Sequence, residues 1–270
     1  MHRAELDRAY DNLAAAPDGA ARLGSFAERS AMMRRAYPDF LDIRYGDRPR
    51  NLIDLFRCGQ KMAPLLAFIH GGYWQRNSKE MFSCVAEGPL SLGFDVALIG
   101  YTLAPSIRVT GIVAEVASAI SFLRSAGPRF AVAADRLILS GWSAGAHLVA
   151  ANLHLAGVDA GFCISGLYDL EPCRLGSLND ALHLTVEEVA SLSPIRHHPT
   201  RPTPLSISHG DRELPEIQRQ ALDFHAFLAG RGHPVTLVQV AGADHFSILE
   251  ELAAPQGRLT ARLADLLAVL

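Results

Sequence analysis

Short apolar runs alternate with amphipathic segments along most of this chain of 270 residues. The runs have the length of strands that are buried on both faces, and they cover residues 65–69, 94–99, 136–140, 160–164 and 205–208, with a more alternating segment at 234–240. Apolar positions at helical spacing lie between and after them, in residues 112–123, 217–228 and 259–270. This order predicts an α/β fold with a mostly parallel sheet and helices on both faces.

One short motif lies between a predicted strand and a predicted helix. Residues 141–145 read Gly-Trp-Ser-Ala-Gly and separate the apolar run 136–140 from a helical segment. This context is typical of a nucleophile elbow, a sharp turn that lifts a serine oxygen clear of the sheet. Because the motif also occurs by chance, an incidental serine in a glycine-rich turn is the alternative. The prediction that Ser143 is a nucleophile therefore depends on partners elsewhere in the chain.

Candidate partners follow Ser143 in the chain order of serine hydrolases that have a nucleophile elbow, in which the acid comes before the histidine. A serine hydroxyl needs a base that takes its proton and an acid that orients the base. Asp211 follows one predicted strand and His245 follows the last one, so the sequence predicts a triad of Ser143, Asp211 and His245. Glu213 is a competing acid, and Asp211 has the alternative role of a turn or helix-capping residue.

The segment after the first buried strand provides candidate oxyanion donors. Residues 69–74 read Ile-His-Gly-Gly-Tyr-Trp, and glycines let the backbone turn its N–H groups inward. We predict that the amides of Gly72, Tyr73 and Ala144 bind the oxyanion, with an ordinary Gly-Gly turn as the alternative. Tyr73 and Trp74 are also predicted to contact the substrate as an aromatic wall, with packing of Trp74 beneath the loop as an equal alternative.

Two segments fall outside the alternation of strands and helices. Residues 171–202 combine apolar positions with several prolines and histidines, and we predict a helical insertion that forms a small cap over the site. Residues 1–40 are predicted as an N-terminal extension that either adds to this cover or packs against the outside of the sheet. The chain has no internal repeat or long linker, so residues 1–270 are expected to form one domain.

Composition narrows the functional classes. The hydrophobic share is 49% and the net charge is -3, which gives no indication of nucleic-acid or membrane partners. The polar N-terminus has no signal-peptide core, and no apolar run approaches the roughly 20 residues needed to cross a bilayer. The four cysteines are scattered, and no His, Glu or Cys group has metal-ligand spacing, so we predict reduced thiols, no metal and a cytoplasmic protein.

Several of these motifs together resemble a known family. The His-Gly-Gly-Tyr-Trp segment 70–74, the elbow 141–145, and the closing Asp211 and His245 are similar to the kynurenine formamidase (arylformamidase) branch of the α/β-hydrolases. The elbow and the oxyanion loop are shared with many esterases and lipases. The Tyr-Trp ending of the loop and residues 165–172, Ser-Gly-Leu-Tyr-Asp-Leu-Glu-Pro, are more particular to the branch. The resemblance extends from about Tyr10 onward.

The resemblance implies an α/β-hydrolase fold and a small-molecule substrate. The implied reaction is hydrolysis of N-formyl-L-kynurenine to formate and L-kynurenine through a formyl-serine intermediate, without a cofactor. A homodimer is an expectation at the level of the family. The alternatives are a general carboxylesterase acting on short-acyl aryl esters, a related amide or carbamate hydrolase, and a non-catalytic binding protein that kept the fold.

Overall fold

A sheet of eight strands forms the centre of the computed structural model, which describes residues 2–133 and 135–270. Met1, the first residue of the predicted N-terminal extension, and residue 134 lie outside the described residues. The strands are β1 (Ile43–Arg44), β2 (Leu52–Phe56), β3 (Leu65–Ile69), β4 (Asp95–Ile99), β5 (Leu137–Trp142), β6 (Ala160–Ile164), β7 (Leu205–Gly210) and β8 (Val235–Val240).

The strand order in space is β1-β2-β4-β3-β5-β6-β7-β8. β2 runs antiparallel to both of its neighbours, whereas every pairing from β4 across to β8 is parallel. The predicted α/β fold with a mostly parallel sheet is therefore confirmed. The carboxyl ends of β3, β5, β6, β7 and β8 lie along one edge of the sheet, where ligands of such folds bind.

Helices cover both faces of the sheet. The α-helices are α1 (Arg3–Ala9), α2 (Asn12–Ala15), α3 (Gly19–Ala36), α4 (Glu87–Ser91), α5 (Val109–Ala126), α6 (Ala144–Asn152), α7 (Glu171–Leu175), α8 (Asn179–Leu182), α9 (Val186–Leu192), α10 (Pro215–Ala229), α11 (Glu250–Ala253) and α12 (Arg258–Leu267). Short 3-10 helices occupy Lys79–Ala86, Gly127–Phe130, Pro194–Arg196 and Ser247–Leu249.

The alternation of side chains along each strand divides the core into two layers. In β3, Leu65, Ala67 and Ile69 belong to the core layer that includes residues of α5, α6 and α10, while Leu66 and Phe68 belong to the layer on the opposite face, which includes residues of α3 and α12. All five side chains are 0% exposed. No position of β3 faces solvent, because the strand is covered on both faces, and this explains why its sequence is a continuous apolar run.

A buried ion network explains why β2 does not read as an apolar strand. Asp54 in β2 is fully buried, and it pairs with Arg34 of α3 and, at 2.7 Å, with the ammonium of Lys79. The Lys79 nitrogen also lies 2.6 Å from Asp42 and 2.9 Å from Glu80. The three carboxylates are close enough together to be candidate cation ligands, and the lysine ammonium contacts all of them. The network joins α3, from the N-terminal extension, to the sheet.

One helix is more apolar than predicted. By length and composition alone, Val109–Phe130 could cross a membrane, with a mean hydropathy of 1.3 over its most apolar window. Its segment α5 buries Ile112, Val116, Ile120 and Leu123 against the sheet. A core helix of an α/β fold passes the same test because one of its faces is apolar throughout.

Candidate active site

Ser143 occupies a strained turn between β5 and α6. Its φ of 56° and ψ of -119° lie outside the regions that non-glycine residues normally adopt. Glycines on both sides make the turn sterically possible, because a Cβ at Gly141 would lie 2.4 Å from the backbone of Gly145, and a Cβ at Gly145 would lie 2.1 Å from the carbonyl oxygen of Ile69. Ser143 thereby lies directly before the N-terminus of α6, as predicted for a nucleophile elbow.

Three side chains that are distant in sequence form one hydrogen-bonded chain. His245 follows β8, and its Nε2 lies 3.1 Å from the Oγ of Ser143. Its Nδ1 lies 3.1 Å from Oε2 of Glu213, which follows β7. The three residues are only 2–5% exposed. In this arrangement an imidazole can take a proton from a hydroxyl while a carboxylate holds its other nitrogen.

The carboxylate in this chain belongs to Glu213, so the choice of Asp211 as the acid is corrected. Asp211 is exposed, and its Oδ1 accepts the N–H of Gly242 at 2.7 Å, which closes the loop after β8. The chain turns back after Gly210, so that Glu213, two positions after Asp211, enters the interior, where its side chain spans the distance to His245. The turn role that was the alternative for Asp211 is the one that the structure shows.

The predicted oxyanion loop follows β3 and faces the elbow. Gly72 has a φ of 120° and Tyr73 a φ of 51°, and the carbonyl of Gly72 accepts the N–H groups of Gln75 and Arg76. Within residues 2–133 and 135–270, the amides of Gly72, Tyr73 and Ala144 have no protein acceptor. These three amides are thus available as donors beside Ser143.

A cavity of about 280 Å³ opens above Ser143. The N-terminal extension contributes Leu6, Tyr10 and Leu13 to its wall, and the predicted cap contributes Pro172 and Leu178. Only the beginning of the 171–202 segment reaches the cavity. The N-terminal extension takes both of its predicted roles. Residues 6–13 and Leu23 of α3 line the cavity, while the buried side chains of α3 pack in the core layer of Leu66 and Phe68.

Three hydrogen bonds hold this cover in place. Asp7 accepts the N–H of Ser177 at 2.6 Å, a bond that lowers the pKa of the aspartate. Tyr73 donates its hydroxyl hydrogen to the carbonyl of Tyr10 at 2.6 Å and accepts from the side-chain amide of Asn12 at 3.0 Å. Burial raises the pKa of Tyr73 well above its ordinary value, so the hydroxyl remains a donor.

The aromatic wall differs from the predicted one. Tyr73 lines the cavity as expected, but Trp74 is 0% exposed and packs edge-on against the ring of His147 beneath the loop. Trp142 and Phe246 line the cavity instead. Each is adjacent in sequence to a predicted triad residue, and this adjacency is the signal that could have identified them as wall residues. The indole N–H of Trp142 also donates to the carbonyl of His245 at 2.9 Å.

Two buried histidines flank the site in the neutral form. His147 lies one turn after Ser143 in α6, with a ring nitrogen 2.9 Å from the carbonyl of Leu192. His70 stacks on Tyr101 at 4.4 Å between ring centroids. Desolvation lowers the pKa of each histidine from 6.5 to about 4.

Comparison with known proteins is consistent with this geometry. The family described as BD-FAE matches residues 53–160. Kynurenine formamidase of Salmo salar is 31% identical over 242 residues, covering 82% of this chain and 79% of that protein. Kynurenine formamidase of Danio rerio is 29% identical and covers 78% and 76%. The crystal structure of a candidate thioesterase from Silicibacter is 29% identical, covers 95% of this chain and 98% of that one, and gives a TM-score of 0.86.

The two neutral histidines predict a loss of stability in mild acid. The unfolded chain binds protons near a pKa of 6.5, whereas the native rings resist protonation down to about 4, so stability is lost as the pH falls through this window. Each histidine should remove about 2 kcal/mol from the free energy of unfolding between about pH 7 and about pH 5. Urea unfolding of wild type and His147→Gln at both pH values measures this contribution.

The exposed His154 provides the control. The change His154→Gln should leave the pH dependence of unfolding at the wild-type level. A wild-type free energy of unfolding that stays constant over this pH range, or His147 ring protons that titrate above about pH 6 in NMR spectra of the folded protein, would contradict the prediction.

Proposed function

The chain belongs to the kynurenine formamidase family of the α/β-hydrolases, and on that premise we propose that it is a serine hydrolase that cleaves N-formyl-L-kynurenine to formate and L-kynurenine. The coarser assignment, a hydrolase of the aryl formamide or ester type, follows from its relatives and structural neighbours. The observation that carries the mechanism is the hydrogen-bonded chain of Ser143, His245 and Glu213 at the floor of the cavity.

The first half of the proposed reaction forms a formyl-serine. His245 Nε2 takes the proton of Ser143, whose Oγ attacks the formyl carbon. The developing oxyanion is bound by the amides of Gly72, Tyr73 and Ala144, which need no reorganisation because the loop holds them in place. His245 then protonates the departing aniline nitrogen, and the C–N bond breaks.

The second half releases formate. A water molecule gives a proton to His245 Nε2 and attacks the formyl ester, and the returning proton restores the hydroxyl of Ser143. Throughout, Glu213 holds Nδ1–H and stabilises the imidazolium. No cofactor takes part in this sequence. The chain acts as one domain, with parts of residues 1–40 and 171–202 as its cap.

The residues that line the cavity favour an aryl substrate with a charged end. Trp142 and Phe246 offer flat apolar surface. Arg76 lies two residues after the oxyanion loop and lines the same cavity. Arg76 is exposed, and its guanidinium has no ion-pair or hydrogen-bond partner among the described residues. Asp7 and Asp11 also line the cavity. In this proposal Arg76 binds the carboxylate of the amino-acid end of the substrate.

Hydrolysis of short-acyl aryl esters is the second candidate function. The candidate thioesterase from Silicibacter has the same fold over nearly its whole length, and the proposed mechanism serves an ester as well as a formamide. A cytoplasmic location, a homodimer and the absence of nucleic-acid and membrane partners stay predictions.

Comparison of substrates tests the proposed function. The purified protein should have a much higher kcat/KM for N-formyl-L-kynurenine than for p-nitrophenyl acetate, and the change Ser143→Ala should lower turnover by several powers of ten without unfolding the protein. The opposite order of the two specificity constants would support the esterase instead. Full activity of Ser143→Ala would contradict the serine mechanism for both.

A pair of substitutions tests the identity of the acid. Glu213→Gln should lower kcat by about 10³–10⁴, since an amide cannot hold the imidazole in the required tautomer and charge state. Asp211→Asn is the matched control, and it should leave kcat near the wild-type value because Asp211 only closes a surface loop. Large loss at Asp211 with normal activity at Glu213 would reverse the assignment.

A second pair of substrates tests the role of Arg76. The change Arg76→Gln should lower kcat/KM for N-formyl-L-kynurenine about tenfold or more, as the loss of one charge-assisted hydrogen bond implies. It should leave ortho-formamidoacetophenone unaffected, because this aryl formamide lacks the carboxylate. Arg129→Gln, a change at another exposed arginine, is the control. Equal effects of Arg76→Gln on both substrates would refute the assignment.

A further inference from the structure

The carboxylate of Glu213 is bound by a second side chain besides His245. Ser165, directly after β6, donates its hydroxyl hydrogen to Oε1 at 2.5 Å, and the N–H of Gly210 donates to the same oxygen at 2.8 Å. Oε2 is left for Nδ1 of His245. Ser165 is 0% exposed, so water does not compete with its hydrogen bond.

The end of β6 is hydrogen-bonded both to Ser143 and to Glu213, the first and last residues of the Ser143–His245–Glu213 arrangement. The N–H of Ser143 donates to the carbonyl of Ile164 at 2.8 Å, and the next residue supplies the hydroxyl that binds Glu213. The N–H of Ser165 in turn donates to the carbonyl of Ser208 in β7 at 2.8 Å. Two consecutive residues therefore connect the nucleophile turn, the sheet and the carboxylate.

The backbone of Ser165 adds an independent argument. Its φ of 53° lies in the left-handed region, which glycine adopts readily and other residues adopt at a cost. Glycine would relieve the backbone but would remove the only side-chain donor that Oε1 has among the described residues. The side chain, and not the backbone conformation, is what serine supplies at this position.

We propose that Ser165 is a positioning residue of the reaction, whose hydroxyl holds the Glu213 carboxylate in the orientation that aligns His245 with Ser143. Ser165 acts through Glu213 and does not line the cavity, so it does not touch the substrate. The proposal rests on the serine mechanism of the proposed function, but not on the identity of the substrate.

The test compares Ser165→Ala and Ser165→Gly with Ser206→Ala. Ser206 in β7 is an equally buried serine whose hydroxyl has no partner among the described residues. Both Ser165 variants should lower kcat about tenfold, the loss expected for one hydrogen bond to a charged group, with KM near the wild-type value. Ser206→Ala should keep wild-type kinetics. Because glycine suits the backbone at 165, Ser165→Gly keeps the test decisive even where Ser165→Ala folds poorly.

A double-mutant cycle separates positioning from a general structural effect. If Ser165 acts through Glu213, Ser165→Ala should cost little more in the Glu213→Gln background. The proton resonance of His245 Nδ1–H should also shift or broaden in both Ser165 variants. Wild-type kcat in Ser165→Gly, or an undiminished effect of Ser165→Ala in the Glu213→Gln background, would overturn the proposal.

Labelling with a fluorophosphonate makes the test independent of the substrate. The rate of covalent capture at Ser143 should fall about tenfold in both Ser165 variants and stay unchanged in Ser206→Ala. Wild-type labelling without hydrolysis of any formamide would refute the proposed substrate, and the labelling rates of the variants would still decide the role of Ser165. Equal labelling rates in wild type and both Ser165 variants would overturn the role of Ser165 alone.

Discussion

The left-handed turn at Ser143 is the constraint on which the rest of the site depends. A non-glycine residue in this conformation costs about 1–3 kcal/mol, and the turn persists because its surroundings leave no alternative. Gly141 and Gly145 allow β5, α6 and the end of β3 to approach more closely than any side chain would permit. The same close approach brings the candidate oxyanion loop after β3 beside the serine, so Ser143 and its candidate amide donors are positioned by one packing arrangement.

Burial of a carboxylate is the second constraint, and the molecule meets it at two places with different partners. A buried charge is tolerated only when its lone pairs are satisfied. Glu213 has donors from Ser165, Gly210 and His245. Asp54, in contrast, is surrounded by two full positive charges from Arg34 and Lys79. The difference fits their places in the fold: Asp54 fastens α3 to the sheet, whereas Glu213 faces an imidazole that can share its proton.

The cavity depends on chain segments that lie far from the motifs. Its cover comes from residues 6–13, from Leu23 and from the beginning of the 171–202 segment. Tyr73 links this cover to the oxyanion loop through Tyr10 and Asn12. Trp142 and Phe246 line the cavity at Ser143, which is only 2% exposed, and electrostatic interactions are stronger where water is excluded. The loop that holds the candidate oxyanion donors therefore also holds the cover of the cavity in place.

The sequence by itself determined the α/β alternation, the elbow at Ser143 and the histidine after the last strand. These features are local, because an apolar run, a glycine-flanked serine and chain order are readable without distant contacts. The tertiary structure alone decided between Asp211 and Glu213, which differ by two positions, because the turn after Gly210 determines which carboxylate points inward. It also decided that Trp74 is core and that Trp142 lines the cavity, since wall residues are selected by packing between segments that the chain order keeps apart.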